Sequence, residues 1–146
     1  MHESIKLKIC PECGAPEQEG LNCWGQLGSI IAWEYDDPEL LAEHFKSVAC
    51  YNLQHPAMFQ DNTLEGLQEV FIQHLDHGLP ISEIRKRMGK LGEGTNRVLK
   101  KEHERTPILR NWPMTIDKVY IPGNPEGAAQ RVREWAKRIR SELYFN

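Results

Sequence analysis

Three of the chain's four cysteines, Cys10, Cys13 and Cys23, fall within fourteen positions, and the first two belong to a Cys-Pro-Glu-Cys-Gly turn. Three thiols this close are bonded to one another, bound to a metal, or held as a redox pair. The N-terminal stretch MHESIKLKIC has no apolar segment followed by small residues, so a cytoplasmic location is expected. A reducing compartment disfavours structural disulfides. A thioredoxin-like pair sits at a helix N-terminus after a strand, in a βαβ setting this chain does not offer. Zinc is the reading that remains. In a CPxCG turn, backbone amides point at the first sulfur, and glycine after the second cysteine relieves the backbone where the chain doubles back.

With 146 residues, a hydrophobic fraction of 40% and a charged fraction of 27%, the chain has the size and composition of one domain. No apolar run approaches the roughly 20 residues a membrane helix needs, so no membrane association is expected. The expected architecture is mainly α, a small helical bundle with an irregular N-terminal zinc knuckle. Within a single domain of residues 1–146, the knuckle covers 1–22, helices 23–104, a proline-rich loop 105–123 and a terminal helix 124–146.

Periodicity and capping residues set the helices. A first helix is expected over 23–35, capped by Asn22, with Leu27, Ile30, Ile31 and Glu34 at helical spacing. Asp37-Pro38-Glu39 starts a second, with Leu40, Leu41, His44, Val48, Tyr51 and His55 along one face up to Pro56. Asn62 and Glu65 resemble a capping box for a third helix that ends at Gly78. A shorter basic helix covers 81–91 and closes at Gly92. One or two further turns are expected over 95–104. Prolines 107, 113 and 122 leave 105–123 mostly as loop, with KVYI as a short strand. Asn124-Pro125-Glu126 starts the terminal helix, whose stripe is Ala128, Val132, Trp135, Ala136, Ile139 and Leu143.

Cys23, at the expected start of the first helix, is the expected third metal ligand, because the helix dipole favours a thiolate there. For the fourth, His44, Cys50, His55, His74 and His77 are available. His44 and His55 are about 16 Å apart on a continuous helix, so both cannot bind one ion. Folding the first two helices back at Asp36-Asp37 brings Cys23 opposite 50–55, which favours Cys50 or His55 over His44, and the place of His55 on the expected core-facing stripe beside Tyr51 ranks it first with Cys50 close behind. His74 and His77 stand at a helix C-terminus, where histidine is favourable without metal. The expected ligand set is Cys10, Cys13, Cys23 and His55, holding Zn2+.

The CPECGAP turn, the Cys23-Trp24 pair, the EYDDP turn and the segment from His44 to Tyr51-Asn52-Leu53-Gln54-His55-Pro56 together resemble an uncharacterised bacterial family, domain of unknown function 5946. The similarity continues to Gly78 and returns in Met114-Thr115-Ile116 and Val132-Arg133-Glu134-Trp135-Ala136. The resemblance implies cysteines at the positions of Cys10, Cys13 and Cys23, histidines at those of His44 and His55, and a small residue at Cys50, which favours His55 as fourth ligand. It also implies an aspartate where this chain has Ala49. It implies no activity.

Two classes of function follow. In one, a closed site makes zinc structural in a helical binding or interaction protein. In the other, an open position, a nearby carboxylate and a polar pocket make a metal-dependent hydrolase or related small-molecule enzyme, with Glu34, Asp36, His44, Tyr51 and Gln54 as candidates. No HExxH, GxSxG, P-loop or dinucleotide-binding motif is present. Charge offers a third reading. Residues 1–84 hold 14 acidic residues against three lysines, while 85–146 hold 15 basic residues against 7 acidic ones. Such a split draws one half onto the other, pairs two subunits in a homodimer, or leaves a basic face for an anionic partner. Nucleic acid is the least favoured partner, because the isoelectric point is about 6.1.

Overall fold

The computed structural model describes residues 8–94 and 97–143. Among them the chain forms six α-helices: α1 (Cys23–Trp33), α2 (Pro38–Leu41), α3 (His44–Leu53), α4 (Asp61–His77), α5 (Ile81–Leu91) and α6 (Ala128–Ser141). Short 3-10 turns follow α1 and α3 and interrupt the loop that leads to α6. The described residues contain isolated bridges, Ile9 with Pro16, Gln18 with Leu21 and Phe59 with Leu99, and no sheet. The fold is a mainly helical bundle carrying a cysteine-rich N-terminal segment, as the punctuation of the sequence suggests.

α3 is the central rod, in contact with α1, α4 and α6. Its buried residues are Ser47, Ala49, Cys50, Tyr51 and Leu53, small enough on most sides for neighbouring helices to approach closely. A helix enclosed on several sides has no single apolar stripe. The expected stripe therefore fails in part: Leu41 and His44 are exposed, and the expected continuous second helix is two helices. Glu43, at φ -98° and ψ 11°, breaks the line, and its amide bonds back to Leu40 in a 3-10 turn at 2.9 Å. The break lets fully buried Leu40 face the core from α2, which packs on α6, while α3 takes a separate course.

α6 follows the expected period closely, burying Ala128, Ala129, Val132, Trp135, Ala136 and Ile139. Each large side chain among them contributes about 1.5–3 kcal/mol by leaving water. Its opposite face is basic and meets acidic helices: Arg133 pairs with Glu39 at 2.6 Å and Glu43 at 3.5 Å, and Arg140 with Asp76 at 2.9 Å. Part of the charge asymmetry is thus met within the chain.

Three local expectations are corrected. α4 begins at Asp61 with Gln60 as N-cap and no side-chain cap, so Asn62 is inside the helix. The chain is fixed there by backbone pairing, since Gln60 donates to the Val98 carbonyl at 3.0 Å and Lys100 to that of Met58 at 2.9 Å. KVYI is no strand. Val119 has helical dihedrals, and Val119 and Tyr120 both donate to the Ile116 carbonyl, so their bulk fills the core without a ladder. α6 starts at Ala128, because Asn124-Pro125-Glu126 is a turn held from inside the helix: the Arg131 guanidinium donates to the carbonyls of Val119, Glu126 and Asn124 at 2.9, 2.6 and 3.0 Å. Gly127 supplies the φ of 78° the turn needs. Over 95–104, one 3-10 turn, Glu102–Glu104, is seen, and residues 95 and 96 lie outside the described residues.

Candidate metal centre

The Cys-Pro-Glu-Cys-Gly turn is a tight loop built around sulfur. The amides of Glu12 and Cys13 both donate to Cys10 Sγ at 3.4 Å, and the Ala15 amide donates to Cys13 Sγ at 3.4 Å. Gly14, at φ 81°, turns the chain back so that the Cys10 amide reaches the Ala15 carbonyl at 2.9 Å. Amides aimed at sulfur favour its thiolate form.

Cys23 is the first residue of α1, beneath the cap in which Asn22 accepts from the Gly25 amide at 2.8 Å. The α1–α3 hairpin carries the end of α3 back to this helix start. His55 follows the C-cap of α3, and its Nε2 is 3.3 Å from Cys23 Sγ and 3.5 Å from Cys10 Sγ. The three sulfurs and the imidazole all lie within 4.8 Å of one another. A tetrahedral ion with bonds of about 2.3 Å to sulfur and 2.0 Å to nitrogen needs ligand atoms about 3.5–3.8 Å apart. The donor set fits such an ion with a small contraction.

Surrounding groups orient the imidazole. His55 Nδ1 lies 2.6 Å from the Tyr51 carbonyl, which only accepts, so Nδ1 carries hydrogen and Nε2 is the nitrogen directed at the cysteines. The Tyr51 ring stacks on the imidazole at 4.0 Å between centroids, and its hydroxyl is 3.8 Å from Cys23 Sγ. Cys13, Cys23 and His55 are buried, and Cys10 is partly so. In the metal-free arrangement, burial opposes an imidazolium, but the hydrogen bonds to Cys23 and the Tyr51 carbonyl prevail and raise His55 to about 9. The hydrogen bond from Cys13 holds the Cys23 thiol well below its ordinary value, while that same bond and burial push Cys13 up. Burial and the neighbouring Cys23 charge raise Tyr51. Both directions favour negative charge on the Cys23 sulfur opposite the imidazole, the form of the thiol that ligates a cation.

The remaining candidates lie elsewhere. Cys50 is fully buried in the core, and desolvation keeps its thiol protonated. His44 binds Glu34 at 2.7 Å, eleven residues and about 16 Å along α1 from Cys23. His74 donates from Nδ1 to the Leu79 carbonyl at 2.7 Å, closing the end of α4, and His77 is exposed in the same last turn. Asp37 caps α2 by accepting from Leu40 at 3.1 Å. Gln54 donates to the Met114 carbonyl at 2.8 Å and anchors the loop after α5 to α3.

Sequence reasoning missed the second tier of the knuckle. Gln26 is fully buried on α1, donates to the carbonyls of Pro16 and Leu21 at 2.9 and 3.0 Å, and accepts from Gln18 at 2.9 Å. Gln18 also donates to the Tyr120 carbonyl at 3.0 Å. Glu12 accepts from the Ala57 amide at 2.7 Å, joining the cysteine turn to the residues just after His55. A polar residue amid the apolar positions of a helix was the available signal for Gln26. On the outer side, the Arg110 amide donates to the Glu12 carbonyl at 3.1 Å, and a cavity of about 300 Å³ runs between loop and knuckle, lined by Cys13, Gly14, Leu109, Arg110, Trp112 and Thr115 among others.

No helix among the described residues is long and apolar enough to cross a membrane. Comparison with curated proteins and with solved structures finds no match. One family model, described as "Family of unknown function (DUF5946)", matches residues 8–144, from the residues just before Cys10 to the end of α6 and beyond, and the chain belongs to that family.

Proposed function

We propose that this chain is a zinc protein in which one Zn2+, held by Cys10, Cys13, Cys23 and His55, is structural and fastens the knuckle to the α1–α3 hairpin of a helical binding or interaction protein. The observation that carries the reading is the meeting of three thiols and one imidazole, all within 4.8 Å, in a largely buried cluster. Soft thiolates with imidazole in a tetrahedral arrangement suit zinc, and four protein ligands leave no position for a reacting water. The cavity beside Cys13 is consistent with the same reading, since among the described residues its lining includes neither a carboxylate nor a histidine to act as a base. The zinc neutralises thiolates, crosslinks segments 45 residues apart in sequence and replaces part of a core the irregular N-terminus cannot build.

Metal analysis of the purified chain tests this, with melting curves before and after chelation. One zinc per chain is expected, lost in Cys13→Ser, with a melting temperature lower by about 10 °C for a stability loss of about 3 kcal/mol. A chain without zinc whose melting is indifferent to chelator and to Cys13→Ser would refute the structural reading.

A further inference from the structure

At the end of the α1–α3 hairpin remote from the cysteines, Glu34 and His44 form a pair that the metal centre does not use. Glu34 lies in the 3-10 turn after α1 and is only 5% exposed. Both its oxygens face His44 Nδ1, at 2.7 and 3.0 Å. A carboxylate oxygen only accepts here, so Nδ1 carries the hydrogen and donates it. Nε2 has no hydrogen-bond partner among the described residues, and the His44 side chain is 49% exposed. Both residues border a cavity of about 380 Å³ whose other walls are Ile31, Tyr35 and Leu41. Tyr35 and Leu41 are 89% and 55% exposed, an unusual outlay of apolar surface beside a titratable pair.

An imidazole whose Nδ1 is tied to a buried carboxylate presents its Nε2 lone pair as a hydrogen-bond acceptor. This is the relation of a base to its orienting group. The apolar walls suit a hydrocarbon or aryl body, and the Glu34 charge disfavours a carboxylate or phosphate ligand. We propose that this cavity is a binding site for a small, neutral, hydroxyl-bearing molecule with an apolar body, a phenol or an alcohol, whose O–H donates to His44 Nε2. His44 is the contact residue and Glu34 a positioning residue. The site is independent of the metal, about 16 Å away along α1.

Phenol, anisole and benzoate share an aryl body and differ in the polar group, so they separate the contributions. Each is titrated into the full chain in slightly alkaline solution, following the ring nitrogens of His44 and the methyl groups of Ile31 and Leu41 by NMR. Phenol is expected to give saturable shifts at both, and to bind about tenfold more tightly than anisole or benzoate, the value of one hydrogen bond of about 1.4 kcal/mol. Glu34→Leu removes the acceptor that fixes the hydrogen on Nδ1 and leaves the ring free to carry it on either nitrogen. In that variant the preference for phenol over anisole is expected to shrink from about tenfold to less than about threefold, with the ring nitrogens reporting a mixture of tautomers, a change that a purely structural role for Glu34 would not produce. No saturable shift with phenol, equal binding of phenol and anisole by the native chain, or a His44 ring carrying its hydrogen on Nε2 would each overturn the proposal, and none of these three readouts requires a variant to fold.

Discussion

The imidazole of His55 meets the thiol of Cys23 at 3.3 Å across 32 residues of sequence, because α1 begins where α3 ends. Cys50, one and a half turns earlier on α3, faces the core instead. The two residues are therefore expected to separate cleanly on substitution. His55→Ala is expected to lower bound zinc and to cost about 3 kcal/mol, since it leaves thiolates buried without their partner. Cys50→Ala is expected to keep the metal and to cost about 1 kcal/mol, the loss of one buried sulfur. Metal analysis with chemical denaturation distinguishes them.

Proton release should accompany metal loading. With its value raised to about 9 by the hydrogen bonds to Cys23 and the Tyr51 carbonyl, His55 is expected to hold its proton at neutral pH without metal, and a bound metal would displace that proton together with those of the thiols. Apparent affinity is thus expected to rise from pH 6 to about 9, as calorimetry in buffers of different ionisation enthalpy would show. The metal-free chain responds in the opposite sense. A histidine raised above its unfolded value of about 6.5 contributes stability fully below that value and loses it as the pH passes about 9. The gap between metal-loaded and metal-free melting temperatures should therefore widen over this window.

Gln26→Leu keeps the volume of the buried side chain but removes its hydrogen bonds to Pro16, Leu21 and Gln18. The Pro16 carbonyl loses its partner, while the Leu21 carbonyl keeps the Gln18 backbone amide and the Gln18 side chain keeps the Tyr120 carbonyl, an expected cost of about 1–3 kcal/mol. The loop between Cys13 and Cys23 loses its anchor on α1. Zinc transfer to a colorimetric chelator is expected to quicken by about tenfold, although no ligand has been changed.

The contacts of α6 with acidic helices predict a charge-swap result. Arg140→Glu should lower the melting temperature, and adding Asp76→Arg should recover at least half the loss by rebuilding the pair with its partners exchanged. High salt should shrink both effects, because the pair is at the surface. Failure of the second change to restore stability would mean that Arg140 acts through packing of its stem.

The parts of the fold legible in the sequence are those in which one residue type has one local meaning. Gly78 ends α4 in a left-handed cap at φ 69°, Asn22 and Asp37 cap α1 and α2, and α6 buries one face against the bundle. The meeting of the cysteine turn with His55 was legible through the expected reversal of the chain after the first helix, although the link to α3 is residues 34–43, with α2 inside it, and not a two-residue turn. Other features depend on neighbours distant in sequence. The break at Glu43 has no glycine or proline to announce it, and it exists because Leu40 and the small residues of α3 serve different contacts. Gln60 starts α4 in place of an Asn62 cap because residues 98–100 pair with it. Val119 and Tyr120 looked like strand, because β-branched and aromatic side chains fill any buried surface, with or without a ladder.

The hydrogen bond from Gln18 to the Tyr120 carbonyl spans 102 residues. At synthesis rates of about 5–20 residues per second, Cys10, Cys13, Cys23 and His55 leave the ribosome several seconds before that carbonyl exists. The nascent chain therefore has all four residues of the cluster, the ligands of the proposed zinc, while the floor beneath the knuckle is still missing. Metal capture can come early in the life of the molecule, but sealing has to wait for the final third of the chain. Between those moments the thiols are at their most accessible to oxidants and competing metals.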